Sequence, residues 1–124
     1  VLTYNVCEGL KMDTTASKER FVAWMRELDP DLAALQEMNG FTQAHLEKLA
    51  AAYGHSYAIL LKDTGYPVAL TSKYPIVAKR VTDNMHHGFL IARTGGYNIV
   101  VAHLSPFSWR KRQRQQELLK EQEN

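Results

Sequence analysis

The chain has 124 residues, of which 45% are hydrophobic and 23% are charged, and its formal net charge is +2. These values are typical of a globular chain long enough for one domain or part of one, and the small charge does not by itself favour a nucleic-acid partner. A single cysteine, Cys7, excludes an internal disulfide framework and a multi-cysteine zinc site, and no apolar run approaches the roughly 20 residues of a membrane-spanning helix.

The sequence begins with a predicted strand and a predicted helix. "VLTYNV", at residues 1–6, alternates apolar and polar side chains, which predicts a strand with one polar face. Residues 17–28 predict a helix with Ser17 as its N-cap. The apolar face of this helix comprises Phe21, Met25 and Leu28.

A second strand and helix follow. "DLAALQ", at residues 31–36, is short and apolar and predicts a buried strand. Residues 42–54 predict a helix that begins at the capping residue Thr42 and ends at Gly54. Its apolar stripe comprises Leu46, Leu49, Ala50 and Tyr53.

Beyond residue 54 the hydrophobic period changes from that of a helix to that of strands. The predicted strands are "SYAIL", "VALTS", "IVAKRVT", "GFLIART" and "YNIVVAHL", with a hairpin at Gly95-Gly96 and a polar, basic helix at about 108–121. This order predicts an α/β (α+β) fold with a mixed sheet and helices on one face. "NIVVAHL" is apolar at nearly every position, which indicates burial on both faces, so the chain resembles half of a larger structure.

Asn5 and Glu37 are the first candidate site residues. Asn5 lies on the polar face of the first strand, where it either bonds a neighbouring loop or faces a ligand. Glu37 ends the buried strand, where its carboxylate is either solvated or anchors a cation. Mg²⁺ often needs only one or two protein carboxylates together with phosphate oxygens and water.

Three histidines and a basic run are further candidates. His103 follows an apolar strand and is either a general acid or base or a hydrogen-bonded structural residue. Only one residue of His86-His87 can face a given site, because neighbours on a strand point to opposite faces, and His87 is the candidate. Arg112 lies in the run "WRKRQRQQ", which either contacts phosphates or forms the solvated face of a helix. The lone Cys7 has no nearby base, which predicts a buried, inert thiol.

Four motifs in order resemble the endonuclease/exonuclease/phosphatase superfamily, also called the DNase-I-like fold. They are "TYNV", "PDLAALQE", which fits the family's P-D-(x)3-L-Q-E pattern, "VALTSKYPI", which is similar to the family's "VAILSKYPI", and "YNIVVAHLSP", in which a strand ends in a His-Leu pair. Together they span residues 2–106. One departure is Pro67, which replaces a glycine that often precedes the third motif, so the resemblance does not transfer substrate specificity.

The resemblance implies roles for the matching residues. Glu37 is expected to bind the divalent cation, Mg²⁺ or Mn²⁺. Asn5 is expected beside the metal and phosphate, and His103 near the scissile phosphate, which it orients or protonates. The implied activity is metal-dependent hydrolysis of a phosphodiester or phosphomonoester, and the implied fold is a four-layer α/β/β/α sandwich.

The family's later motifs cannot lie in residues 104–124. They are of the Gly-Asp-Phe-Asn and Ser-Asp-His types, whereas the last aspartate here is Asp83 and no histidine follows His103. We therefore expect residues 1–124 to form a single partial domain, the N-terminal half, with negligible activity alone. An apolar inner sheet face left exposed by truncation would favour self-association.

Two questions remain open at this level. The alternative to an enzyme is a non-catalytic binding module that keeps the same fold. The substrate is a phosphate ester whose class is undetermined, because the family includes enzymes acting on nucleic acids, on lipid head groups and on small phosphate esters.

Overall fold

The computed structural model describes residues 1–82, 88–102 and 119. The elements in chain order are β1 (Leu2–Asn5), α1 (Cys7–Leu10), a 3₁₀ turn (Ala16–Lys18), α2 (Glu19–Leu28), β2 (Leu32–Gln36), α3 (Gln43–Ala52), β3 (Tyr57–Leu60), β4 (Ala69–Ser72), β5 (Ile76–Val81), β6 (Phe89–Thr94) and β7 (Tyr97–Ala102). Each strand predicted from the sequence is present, and the α/β fold class is confirmed.

The strands form two sheets. The first sheet has the order β1-β2-β4-β3, with β1 and β2 parallel and the other pairs antiparallel. The second sheet is the antiparallel meander β5-β6-β7, whose last two strands are joined at Gly95-Gly96. The sequence predicted one mixed sheet, because strand periodicity shows which faces are apolar but not which sheet a strand joins.

The helices α2 and α3 pack on one face of the first sheet, as predicted. Thr42 caps α3, since its hydroxyl accepts the backbone N–H of His45 at 3.1 Å. Fully burying a leucine or methionine stabilises the fold by roughly 1.5–3 kcal/mol. The core between helices and sheet includes Phe21, Met25, Leu35, Met38, Leu46, Leu49 and Tyr53.

The second sheet covers the opposite face of the first sheet. β7 lies against β2, β6 against β4, and β5 against β3. The core between the sheets comprises Ala34, Leu61, Val68, Leu70, Leu90, Ala92 and Val101. This corrects the expectation that truncation leaves the inner face exposed, because the chain's own second sheet covers it.

The outer face of the second sheet is the one with exposed apolar side chains. Val77 is 75% exposed and Val100 is 41% exposed. The expectation that "NIVVAHL" is buried on both faces is therefore wrong for β7, in which Val101 is buried and Val100 is not. No helix among the described residues is long and apolar enough to cross a membrane.

The start of α2 differs from the prediction. Ser17 lies in the 3₁₀ turn with φ +54° and makes no cap. Instead Asp13, from the preceding loop, accepts the backbone N–H of Phe21 at 2.8 Å. Burial raises the pKa of Asp13, but hydrogen bonds from Thr15 and Phe21 outweigh it, so the pKa lies below its usual value. Leu28, predicted on the buried face, is 49% exposed because it is the last residue before the helix ends.

A buried hydroxyl network joins the two sheets at the "SKYP" stretch. The Tyr74 N–H donates to the Ser72 hydroxyl at 2.9 Å, and the Thr94 hydroxyl donates to the Tyr74 carbonyl at 3.1 Å. The Ser72 hydroxyl therefore donates to the Thr94 oxygen, which lies 2.7 Å away. The three bonds close a ring in which every buried polar group has a partner.

Candidate active site

The carboxyl ends of two neighbouring parallel strands bring Asn5 and Glu37 together. β1 and β2 pair with Asn5 opposite Gln36, so the next residue of β2 lies at the same edge of the sheet. The Asn5 amide nitrogen donates a hydrogen bond to the Glu37 carboxylate. Its amide oxygen accepts the Cys7 N–H at 2.9 Å. Both ends of the amide are thus held, and the second N–H of the Asn5 side chain has no acceptor within residues 1–82 and 88–102.

The backbone at Glu37 makes a sharp turn. Its φ is +58°, in the left-handed region that costs a residue with a side chain of order 1–3 kcal/mol. Two hydrogen bonds hold the turn: the Gly9 N–H donates to the Glu37 carbonyl at 2.7 Å, and the Met38 N–H donates to the Pro67 carbonyl at 2.9 Å. The turn points the carboxylate at Asn5 rather than along the strand.

Gly9 permits the close approach of the loop after β1 to the loop after β2. Its φ is +74°, and a Cβ at this position would lie 2.0 Å from the Asn39 carbonyl oxygen. No other residue type fits without moving the backbone. Sequence analysis missed this role, because one glycine in a loop does not reveal which distant segment it touches.

Lys11, in the loop after β1, forms an ion pair with Glu8. Its amino group lies 2.6 Å from the Glu8 carboxylate. This hydrogen bond and the Glu8 charge raise the pKa of Lys11, and the Glu37 charge adds a smaller contribution in the same direction. Lys11 was not a candidate from the sequence, since its spacing to Glu37 carries no signal.

The donors at this edge suit a hard, hydrated cation. Glu37 offers a half-buried carboxylate whose orientation Asn5 fixes. Among residues 1–82 and 88–102, no three His, Cys, Asp or Glu side chains form a group that could hold a metal. One carboxylate with an amide beside it fits Mg²⁺ or Mn²⁺, which retain water and take phosphate oxygens as ligands, better than it fits an all-protein cage.

His55 is a structural histidine. Its Nε2 donates to the Pro30 carbonyl at 2.6 Å, because a carbonyl can only accept. Its Nδ1 therefore accepts from the Thr71 hydroxyl at 2.8 Å, and the Tyr53 hydroxyl donates to Thr71 at 2.8 Å. Burial lowers the pKa of His55 and raises that of Tyr53 to about 12. The ring is neutral, buried and fully bonded.

The remaining sequence candidates are His87, His103, Arg112 and Cys7. His87, His103 and Arg112 fall outside the described residues, as does the predicted helix 108–121 except for Leu119, which is helical. Cys7 is exposed, which corrects the expectation of a buried thiol. It is the second residue after β1, with φ +54°, and its N–H donates to the Asn5 side chain.

Comparison with known proteins matches nearly the whole chain to one family. Residues 2–124 match the model of the Endonuclease/Exonuclease/phosphatase family. No curated protein matches the chain in sequence.

Solved structures share the fold. An AP endonuclease from Archaeoglobus fulgidus is 17% identical with a TM-score of 0.62, and the match covers 96% of this chain and 48% of that one. A humanized TDP2 from D. rerio is 19% identical with a TM-score of 0.68, covering 95% and 53%. TDP2 from D. rerio complexed with a single-strand DNA product is 18% identical with a TM-score of 0.65, covering 95% and 52%. The chain thus spans about half the length of these structures.

Proposed function

The chain belongs to the endonuclease/exonuclease/phosphatase family, and from this membership we propose that residues 1–124 are the first half of a domain that hydrolyses a phosphate ester. The match of nearly the whole chain to about half of each similar structure supports this division. The described residues form three layers: the helices, the first sheet and the second sheet. We propose that these are three of the four layers of the sandwich in the complete domain.

The observation that carries the proposal is the Asn5–Glu37 hydrogen bond at the strand ends. The strained turn at Glu37 and the close approach at Gly9 both maintain this pair. Residues held in costly conformations by several contacts are frequent at functional sites. A glutamate that is merely solvated at a strand end would need neither the left-handed turn at Glu37 nor the hydrogen bond from the Asn5 amide.

We propose that Glu37 binds the divalent cation, Mg²⁺ or Mn²⁺. Such a cation, when bound, neutralises the phosphate and stabilises the oxygen that leaves. Asn5 fixes the orientation of the Glu37 carboxylate, as residues behind a metal ligand commonly do. The remaining N–H of Asn5 is a donor for a non-bridging phosphate oxygen.

The remaining roles fall on residues outside the described part. His103 is proposed to donate a proton or a hydrogen bond to the phosphoryl group, and His87 and Arg112 to bind the substrate. Oriented donors at a developing negative charge are worth several kcal/mol each. A water-activating aspartate is proposed to lie outside residues 1–124, so we expect negligible activity from these residues alone.

The substrate class is a separate proposal. The similarity to TDP2, a structure of which holds a single-strand DNA product, favours a nucleic-acid phosphodiester over a lipid or small ester. Lys11 is paired with the Glu8 carboxylate at 2.6 Å and so adds no net positive charge at the Asn5–Glu37 edge; the preference rests on that similarity. Binding of a nucleic acid would weaken as the salt concentration rises, because contacts with its phosphates release counterions.

The decisive experiment measures hydrolysis by the complete protein with Mg²⁺. Single-stranded DNA, a lipid phosphodiester and an aryl phosphodiester are compared, and Glu37→Gln is expected to lower kcat by about 10²-fold or more. Glu27→Gln, at an exposed position of α2, is the matched control and should retain full activity. Undiminished hydrolysis by Glu37→Gln would refute the proposal.

A further inference from the structure

A cavity of about 820 Å³ opens on the helical side of the first sheet. It lies between the segment that precedes α2 and the length of α3 from His45 to Ala52, next to the loop after Glu37. Its apolar wall includes Phe41 and the buried Leu49. A volume of this order is within the range of small-molecule sites, which are mostly apolar with a few polar groups.

The titratable residues that line the cavity are two lysines and a histidine. Lys18, His45 and Lys48 contribute side chains, and no described lining residue is acidic. Lys18 is held by the carbonyls of Leu10 and Asp13 at 3.1 and 2.9 Å. Lys48 is exposed and, within the described part of the chain, has no hydrogen bond or ion pair. The lining therefore favours an anionic ligand.

An unpaired acceptor adds a second polar feature. The side-chain oxygen of Asn39, another lining residue, is buried and has no hydrogen-bond partner among the described residues. An unsatisfied buried polar atom costs about 1–3 kcal/mol. Protein atoms cover this oxygen, so contacts with a ligand fall on the other lining residues.

We propose that this cavity binds a small organic anion with an apolar body, a site separate from the Asn5–Glu37 pair. The anionic group pairs with Lys48 at the rim, and the apolar body lies against Phe41 and Leu49. Binding here requires no hydrolysis.

The test uses 1-anilinonaphthalene-8-sulfonate, an aromatic sulfonate with one N–H, whose fluorescence rises in apolar surroundings. Lys48→Glu reverses the rim charge and is expected to weaken binding about fivefold or more. Ala51→Trp fills the cavity from an exposed helix position and should also weaken it. Both variants are first compared with the parent by circular dichroism to show that they fold.

The matched control is Lys79→Glu on the outer face of the second sheet, where Val77 is exposed. It should leave the affinity unchanged, whereas loss in this variant with none in Lys48→Glu would assign the dye to that sheet and overturn the proposal. Octyl phosphate should displace the dye, and octanol and inorganic phosphate should not at the same concentration. Equal displacement by octanol would overturn the requirement for an anion.

Glu37→Gln separates the cavity from the proposed catalytic site. It should bind the dye as the parent does, because the Glu37 carboxylate does not line the cavity. A loss of dye binding in this variant would contradict the separation of the two sites. Activity of the complete protein plays no part in the measurement.

Discussion

Asn5 donates a hydrogen bond to the Glu37 carboxylate although 32 positions separate the two residues. The contact exists because β1 and β2 are parallel neighbours and end at the same edge of the sheet. It fixes the carboxylate before any ligand arrives, which lowers the conformational entropy lost on binding.

Asn5→Ala is expected to weaken Mn²⁺ binding about 10–100-fold, the usual effect of removing a group that orients a metal ligand. Affinity is measured from the relaxation of water protons by bound Mn²⁺. Thr3→Ala is the control, since Thr3 lies on the same strand but bonds Gln36. Equal Mn²⁺ affinities of the parent and Asn5→Ala would contradict the assigned role.

Gly9→Ala is expected to lower the free energy of unfolding by at least about 2 kcal/mol more than Gly40→Ala does. Both glycines have positive φ, +74° and +76°, so both substitutions carry the left-handed penalty. Only Gly9 adds a clash, because its Cβ would meet the Asn39 carbonyl, whereas nothing lies within 4 Å at Gly40. Urea denaturation measures the difference, and equal losses would show that the close approach is absent.

The sequence singled out Asn5 and Glu37, which the structure brings together, but not the residue that supports the turn at Glu37. Glu37 was a candidate because it ends an apolar strand, and Asn5 because it lies on a polar strand face. The resemblance to a known family supplied their pairing. Gly9 was missed, since its hydrogen bond to Glu37 depends on loops that pack together only in the folded chain.

Elements of the fold were likewise predicted correctly where the determining residues lie close together in the sequence, and missed where they lie far apart. The helix α3 was predicted with its cap and stripe because all of its signals are local. The cap of α2 was assigned wrongly to Ser17, because the actual cap is Asp13, eight residues before the N–H that it accepts. The division into two sheets was missed for the same reason.

Ser72→Ala is expected to lower the free energy of unfolding by about 1–3 kcal/mol, because it leaves the Tyr74 N–H without its acceptor. Thr94→Val removes another member of the same ring. The double variant should lose less than the sum of the single losses, with a coupling of about 0.5–3 kcal/mol. Ser56→Ala, at an exposed position, is the control. Strict additivity in a double-mutant cycle would show that the hydroxyls act independently.

Stability is expected to fall as the pH drops below about 6.5, the usual pKa of histidine in an unfolded chain. Burial lowers the pKa of His55 in the folded chain, where its Nδ1 accepts a hydrogen bond from the Thr71 hydroxyl. Between the two pKa values the unfolded chain binds a proton that the folded chain does not, so the free energy of unfolding falls by at most ~1.4 kcal/mol for each pH unit.

Urea denaturation at pH 7.5, 6.5 and 5.5 measures this effect of His55. The usual pKa values of Asp and Glu, about 4, lie below this window, so the slope there is attributable to histidine. His55→Gln should be less stable at pH 7.5, because the bond to the Pro30 carbonyl is disturbed, and should show a smaller slope. His45→Gln, at an exposed position, should retain the parent's slope. If His55→Gln kept the full slope, protonation of His55 would not be its cause.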